Sequence, residues 1–381
     1  MMYNPLAPVS DTAVIYHEVF NERGFSRLTR SWERYRVALL KFRELALIDS
    51  NYDPANPPEI NSSGRVSVYH PVQATIEELS IVHDPAYIQF VIEMDEKGEG
   101  MFDRNDTPAW RGIYRRAAMA VGATLLGADL IATDRVKHVF NPAGGLHHAQ
   151  YDRASGFCLF NDIVMAVRRW QKQYGFERIA ILDVDGHHGD GTQNLLYHEP
   201  ILTVSLHMYD GRFFPRTGTL EERGSGKGEG YCLNLPFPRF TTDAEYLKGF
   251  DLALEAVERY RPQAIILQYG ADGHYTDRMS GLKLSTRAYE YVAEQTHALA
   301  HRACNGRLLV VGGGGYEPEV VERCWAILLA QLAGQKTVSA AAYTALHDPL
   351  TDMPQPNPDS IAQSSQMLSL AKDVLDSMNL R

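Results

Sequence analysis

The sequence predicts a single α/β domain, a mostly parallel central sheet flanked by helices. Three observations lead there. Short, wholly apolar runs such as Ile179–Leu182 and Leu308–Val311 are too brief for helices and lack polar alternation, as strands covered on both faces do. Stretches with helical spacing separate several of them, giving the alternation of a parallel sheet. Every chemically rich loop follows a strand, which is where open parallel sheets bind ligands.

In chain order, residues 12–16 read as a first strand. Residues 32–48 read as an amphipathic helix, with Val37, Leu39, Leu40, Phe42 and Leu45 at helical spacing. Residues 49–64 hold three prolines and read as a surface loop. Asp84 caps a helix over 85–93, and 98–108 is a further loop. Small residues fill a helix over 114–131, suited to close packing on a sheet. Strands at 136–140, 179–182, 201–206, 264–268 and 308–311 then alternate with helices at 163–174, 244–260, 287–304 and 318–332. Residues 339–358, with three prolines in 353–358, read as a linker before a terminal helix at 361–378.

The 381 residues carry a formal net charge of −10, which argues against an extended nucleic-acid surface. The four cysteines form no Cys-x-x-Cys pair and no disulfide framework. No secretory signal and no run of ~20 apolar residues is present. A cytoplasmic protein without membrane or nucleic-acid partners is expected.

The densest chemistry lies at 183–191, Asp-Val-Asp-Gly-His-His-Gly-Asp-Gly. Residues two apart on an extended chain point the same way, so Asp183, Asp185 and His187 converge at a strand end. Hard oxygen ligands with an imidazole and no thiolate suit a catalytic divalent metal. Clustered carboxylates also repel one another without a cation. A polar turn capping the next helix is the alternative. Asp272, after the strand 264–268, either caps a helix or completes the ligand set. His147 and His148 follow a glycine pair and read equally as structural or as acid–base residues, with Asp183 and Asp190 as available partners. Tyr316, after Gly312–Gly315, is a core tyrosine or an oxyanion donor; those glycines match no phosphate loop. Phe157 and Phe214 are core aromatics or the walls of a narrow slot.

Gly-Gly-Leu-His-His-Ala (144–149), Ala-Ser-Gly-Phe-Cys-Leu-Phe-Asn-Asp (154–162), the 183–191 motif, Gly-Ala-Asp (270–272) and Gly-Gly-Gly-Gly-Tyr (312–316) together strongly resemble the zinc-dependent histone deacetylase family, its bacterial acetoin-utilisation-type, class I-like members above all. The likeness spans roughly residues 12–335 in matching order, and leaves out 50–64 and 336–381. It implies the arginase/deacetylase fold, with a catalytic domain at 1–335 and a linker and helical tail at 336–381. It further implies zinc, or iron(II) in the cell, on Asp185, His187 and Asp272. His148 would be the general base and acid beside His147, oriented by Asp190 and Asp183 respectively, and Tyr316 would polarise the carbonyl. Gly156, Phe157 and Phe214 would grip a lysine stem, with Asp106 on the rim and Met279 where polyamine-selective members carry glutamate. Asp183, Asp185, His187, Ser205 and Leu206 would hold a structural potassium ion.

The implied activity is hydrolysis of acyl-lysine amides in proteins, or of small acylated amines; homo-oligomerisation is left open. Ser31-Trp32-Glu33-Arg34 replaces the family's His-Pro signature, and Arg34 aligns with its internal-cavity arginine. Two other readings compete. An arginase-like ureohydrolase with two manganese ions would carry a carboxylate where Gly189 stands. A catalytically silent acyl-lysine binder would not need every catalytic residue retained.

Overall fold

The computed structural model describes residues 10–22, 31–55, 60–61, 65–103, 106–334 and 338–380. In chain order the elements are β1 (Thr12–Ile15), α1 (Arg34–Glu44), β2 (Ile60–Asn61), β3 (Ser67–Tyr69), α2 (Ile76–Leu79), α3 (Pro85–Lys97), α4 (Ile113–Ala132), β4 (His138–Asn141), α5 (Asp162–Tyr174) and β5 (Ile179–Asp183). There follow α6 (Asp190–Leu196), β6 (Leu202–Met208), β7 (Cys232–Phe237), α7 (Asp243–Tyr260), β8 (Ala264–Gln268), α8 (Thr286–Cys304), β9 (Leu308–Val311), α9 (Pro318–Leu332), α10 (Ala340–Thr344) and α11 (Pro358–Ser377).

Among the described residues these strands form one nine-stranded sheet in the order β2-β3-β1-β4-β9-β8-β5-β6-β7. Every pairing is parallel except that of β2 with β3. The expected parallel α/β sheet is therefore present, with one antiparallel edge strand inside the stretch read as a loop. All residues of β5, β8 and β9 are buried on both alternating faces, which requires helices on both sides of the sheet. Helix α4 packs on α5, β4 and β9, while α8 packs between α7 and α9 and on β8. A Cβ at Gly122 would overlap the Val72 carbonyl, so α4 lies as close as its small residues allow. No helix of the described residues is long and apolar enough to cross a membrane.

Local signals set the helix ends. Asp84 caps α3, with Pro85 in its first turn and Gly98 at φ 73° closing it. Helix α5 starts at Asn161, whose side chain accepts from the Val164 amide, and stops at Gly175. Helix α1 is shorter than its apolar spacing suggests, because residues 31–33 form a 3-10 turn and the chain leaves the helix at Leu45.

The segment read as a linker is more than a tether. It carries α10, and its Asp348 is buried between three elements. The carboxylate accepts from His274 Nε2 at 2.9 Å, Arg323 at 2.8 Å and the Thr286 amide at 2.8 Å. Asn357 then caps α11 with Pro358 in the first turn, so that helix begins three residues before the expected start, and it packs on β7 and α7.

Burial alone would raise the Asp348 carboxyl, but His274, Thr286 and Arg323 outweigh it and hold it well below the usual carboxylate range. A group depressed in the folded state stabilises the fold above its unfolded pKa and loses that contribution as pH falls. Asp348→Ala should therefore cost about 3–5 kcal/mol at pH 7 by urea unfolding. The gap to the parent should narrow as pH drops below about 4. A pH-independent gap would contradict the ion-pair account.

Candidate active site

Parallel register places the chemistry. Strands β4, β9, β8, β5 and β6 all end at one edge of the sheet, and their following loops meet there. Strand β5 lies between β8 and β6, with Asp183 opposite Gln268 on one side and Ser205 on the other. The β5 loop thus delivers Asp185 and His187 beside Asp272 from the β8 loop.

Asp185, His187 and Asp272 are buried, with one ligand atom from each lying within 4.8 Å of the others. His187 Nδ1 stands 2.7 Å from Asp272 Oδ2 and 3.2 Å from Asp185 Oδ1. The remaining oxygens are fixed by donors. Asp185 Oδ2 accepts from Gln268 Nε2 and from the Gly314 amide, each at 2.7 Å, and Asp272 Oδ1 accepts from the Gly186 amide at 2.7 Å. Gly314 is where the glycine run is needed: a Cβ there would meet both carboxylates at 2.8–2.9 Å.

Burial works against a charged imidazole at His187, yet Asp272 and then Asp185 outweigh it and raise the ring to about 10. Burial and the Asp185 charge together push Asp272 up. The cluster therefore demands positive charge. Two carboxylate oxygens and one imidazole nitrogen, preset by backbone amides, fit a divalent ion with coordination positions left open.

Beside this cluster, His147 and His148 come from the loop after β4. His147 Nδ1 is 2.7 Å from Asp183 Oδ2, and His148 Nδ1 is 2.6 Å from Asp190 Oδ1. Their Nε2 atoms face each other at 3.0 Å. Each ring gives its Nδ1 proton to a carboxylate, so the contact between them holds one proton: one imidazolium donates and one neutral ring accepts. Charges decide which. Burial would lower His147, but Asp183 and Asp185 raise it to about 9. Burial and the neighbouring His147 charge lower His148 to about 4.

A cavity of about 210 Å³ opens over this floor. Its lining includes His147, His148, Gly156, Phe157, Asp185, His187, Gly314 and Tyr316. The Phe157 and Tyr316 rings lie 6.1 Å apart. Phe214 sits edge-on to His148 at 4.8 Å and Phe213 stacks on His187 at 4.8 Å. Phe157 adopts φ 65°, a strained region for an aromatic residue, with its amide bonded to Thr107 Oγ1 at 3.1 Å. Arg34 lines the inner part, donating to the Gly315 carbonyl at 3.0 Å.

Asp106 is half-buried next to the lining residues Thr107 and Pro108, its carboxyl raised to about 6 by burial and then by Asp103. Met279 is not among the lining residues; its amide bonds to Asp277 Oδ1 at 2.9 Å. Leu206 and Ser205 lie on β6 behind the cluster, where the Tyr246 hydroxyl reaches the Val184 and Leu206 carbonyls at 3.3 and 3.4 Å.

The profile of the histone deacetylase domain matches residues 46–332, three quarters of this chain. The chain belongs to the histone deacetylase family. Curated relatives agree. "Acetoin utilization protein AcuC" of Bacillus subtilis (strain 168) is 40% identical over 285 residues, covering 72% of this chain and 73% of that one. A "Probable deacetylase" of Archaeoglobus fulgidus (strain ATCC 49558 / DSM 4304 / JCM 9628 / NBRC 100126 / VC-16) is 34% identical over 315 residues, covering 81% and 82%. Among solved structures, the HDA15 HD domain superposes with a TM-score of 0.76 at 25% identity over 97% of this chain and 99% of that one. The fold and the deacetylase family are thus shared.

Three residues of this cleft escaped the reading of the sequence. Gln268 ends β8 and holds Asp185. Asp162 accepts the amides of Gly145 and Leu146 at 3.0 and 2.8 Å, fixing the loop that bears the histidine pair. Asp277 accepts the Tyr316 amide at 2.8 Å. A polar residue closing an apolar strand, as at Gln268, is the one signal that could have flagged any of them. Gln268→Leu should weaken divalent metal binding 10–100-fold, the usual effect of removing a group that orients a ligand. Competition with a chelating dye measures it; unchanged affinity would show the bond to be incidental.

Proposed function

We propose that this deacetylase hydrolyses the amide of an acylated lysine side chain in proteins. The observation that carries the reading is the shared floor: Asp185 and His187 of the cluster, the histidine pair and Tyr316 all line one cavity. Gly156 and Phe157 in the lining, with Phe214 edge-on to His148 beside them, suit an unbranched aliphatic stem. Asp106 at the rim suits the amide groups of a peptide backbone.

A zinc ion on Asp185, His187 and Asp272, or iron(II) in the cell, would supply Lewis acidity to the amide carbonyl and acidity to a water. The chain's own residues do the rest. His148 Nε2, with Nδ1 tied to Asp190, takes a proton from the attacking water as the oxygen–carbon bond forms. The Tyr316 hydroxyl donates to the carbonyl oxygen as it gains charge. When the carbon–nitrogen bond breaks, the histidine pair returns a proton to the departing amine. Asp183 holds His147 charged beside that developing charge. We assign Asp183, Asp185, His187, Ser205 and Leu206 to a structural potassium ion, supported by the pairing of Asp183 with Ser205.

Space around Gly189 favours this reading over a two-manganese ureohydrolase. A Cβ there would collide with Asp183 and lie 3.2 Å from His147 Nδ1, leaving no room for a bridging carboxylate. Turnover of a fluorogenic acetyl-lysine peptide tests the proposal and excludes a silent binder. His148→Ala should abolish it, and Tyr316→Phe should lower kcat on the order of 10²–10³. A Tyr316→Phe enzyme of full activity would sink the oxyanion assignment. A panel of acetylated peptides against small acylated amines distinguishes the two substrate classes.

A further inference from the structure

At the opposite end of β4 from the catalytic histidines, three other imidazoles meet. His138 opens β4, and His297 and His301 lie one turn apart on α8. Their Nε2 atoms form a triangle with all three edges at 3.1 Å. The tautomer of His138 is fixed. Thr12 Oγ1 gives its proton to the Leu332 carbonyl at 2.8 Å, so its 3.1 Å contact with His138 Nδ1 has the ring donating. His138 Nε2 is therefore a bare lone pair aimed at the centre of the triangle.

Hydrogen bonds cannot satisfy this arrangement. A ring nitrogen that carries a proton cannot also accept one, so at least one edge of the triangle always lacks a bond. A cation satisfies all three. Zinc–imidazole bonds of about 2.0–2.1 Å in a tetrahedron place the nitrogens roughly 3.3 Å apart, within a few tenths of an ångström of the separations seen. The Thr12 hydroxyl behind His138 is the kind of outer partner that orients a ligating imidazole. His138 is buried, His297 partly so and His301 exposed, which leaves the fourth position facing solvent.

We propose that His138, His297 and His301 bind a second divalent transition ion of the zinc class, with water in the fourth position, stapling α8 to the start of β4. The three ligands come from segments 159 and 163 residues apart, so the ion would cross-link elements far apart in sequence. The site lies away from the cleft and does not depend on the reaction assigned there.

The test uses the full chain, stripped with a chelator, re-equilibrated with zinc and assayed by elemental analysis. The parent should hold two zinc ions per chain, one for each cluster. His301→Gln, a change at an exposed position, and the double variant His297→Ala/His301→Ala should each hold one, with acetyl-lysine turnover unchanged. Asp185→Asn should lose the other ion and keep this one. With cobalt, the Asp185→Asn protein should show the visible absorption of a four-coordinate site, and adding His301→Gln should remove it. Equal zinc in the parent and in His301→Gln, or no cobalt band in Asp185→Asn, overturns the proposal. A failure at Asp185 alone would instead count against the catalytic assignment.

Discussion

The structure turns on the cost of placing buried carboxylates side by side. Asp183, Asp185 and Asp272 are each at most 4% exposed and lie at neighbouring strand ends. Charges removed from water and left unpaired would be prohibitive. The surroundings compensate group by group. The Gly186 and Gly314 amides and Gln268 face Asp185 and Asp272, and His147 faces Asp183. Only a parallel sheet brings so many loops to one edge, and only glycine at position 314 lets the β9 backbone come near enough to donate.

That compensation also sets the chemistry. Two adjacent histidines of identical type behave differently because their carboxylate partners sit in different company. Asp183 is flanked by Asp185, so His147 is drawn towards the charged form. His148 faces the resulting charge and stays neutral, its Nε2 accepting the proton that His147 donates. An acid and a base thus stand 3.0 Å apart over one floor, a division of labour that arises from placement alone.

The proline-bearing stretch before α11 shows how a local pattern can mislead. Its composition is that of a tether, and nothing near Asp348 marks it as buried. Its partners His274, Thr286 and Arg323 lie 25 to 74 residues away. A carboxylate used as a distant clamp leaves no local signature, because its role is defined by what the rest of the chain brings to it. The same holds for Asp162 and Asp277, whose work is done on backbone amides that any residue type would supply.

What the sequence determined by itself is what depends on near neighbours. The alternation of apolar strand and helix, the caps at Asp84 and the ligand-rich turn after β5 are all legible, since period, capping and side-chain direction act over a few residues. The family's motifs extended that reach to Asp272 and Tyr316. Tertiary structure alone decided which strand ends are adjacent, which histidine is charged, and that Gln268 braces the cluster. It alone also closed the triangle of His138, His297 and His301, which depends on the register of β4 against β9 and on the rotation of α8 about its axis. Neither quantity is written in any local stretch of residues, because each is settled by the packing of the whole sheet.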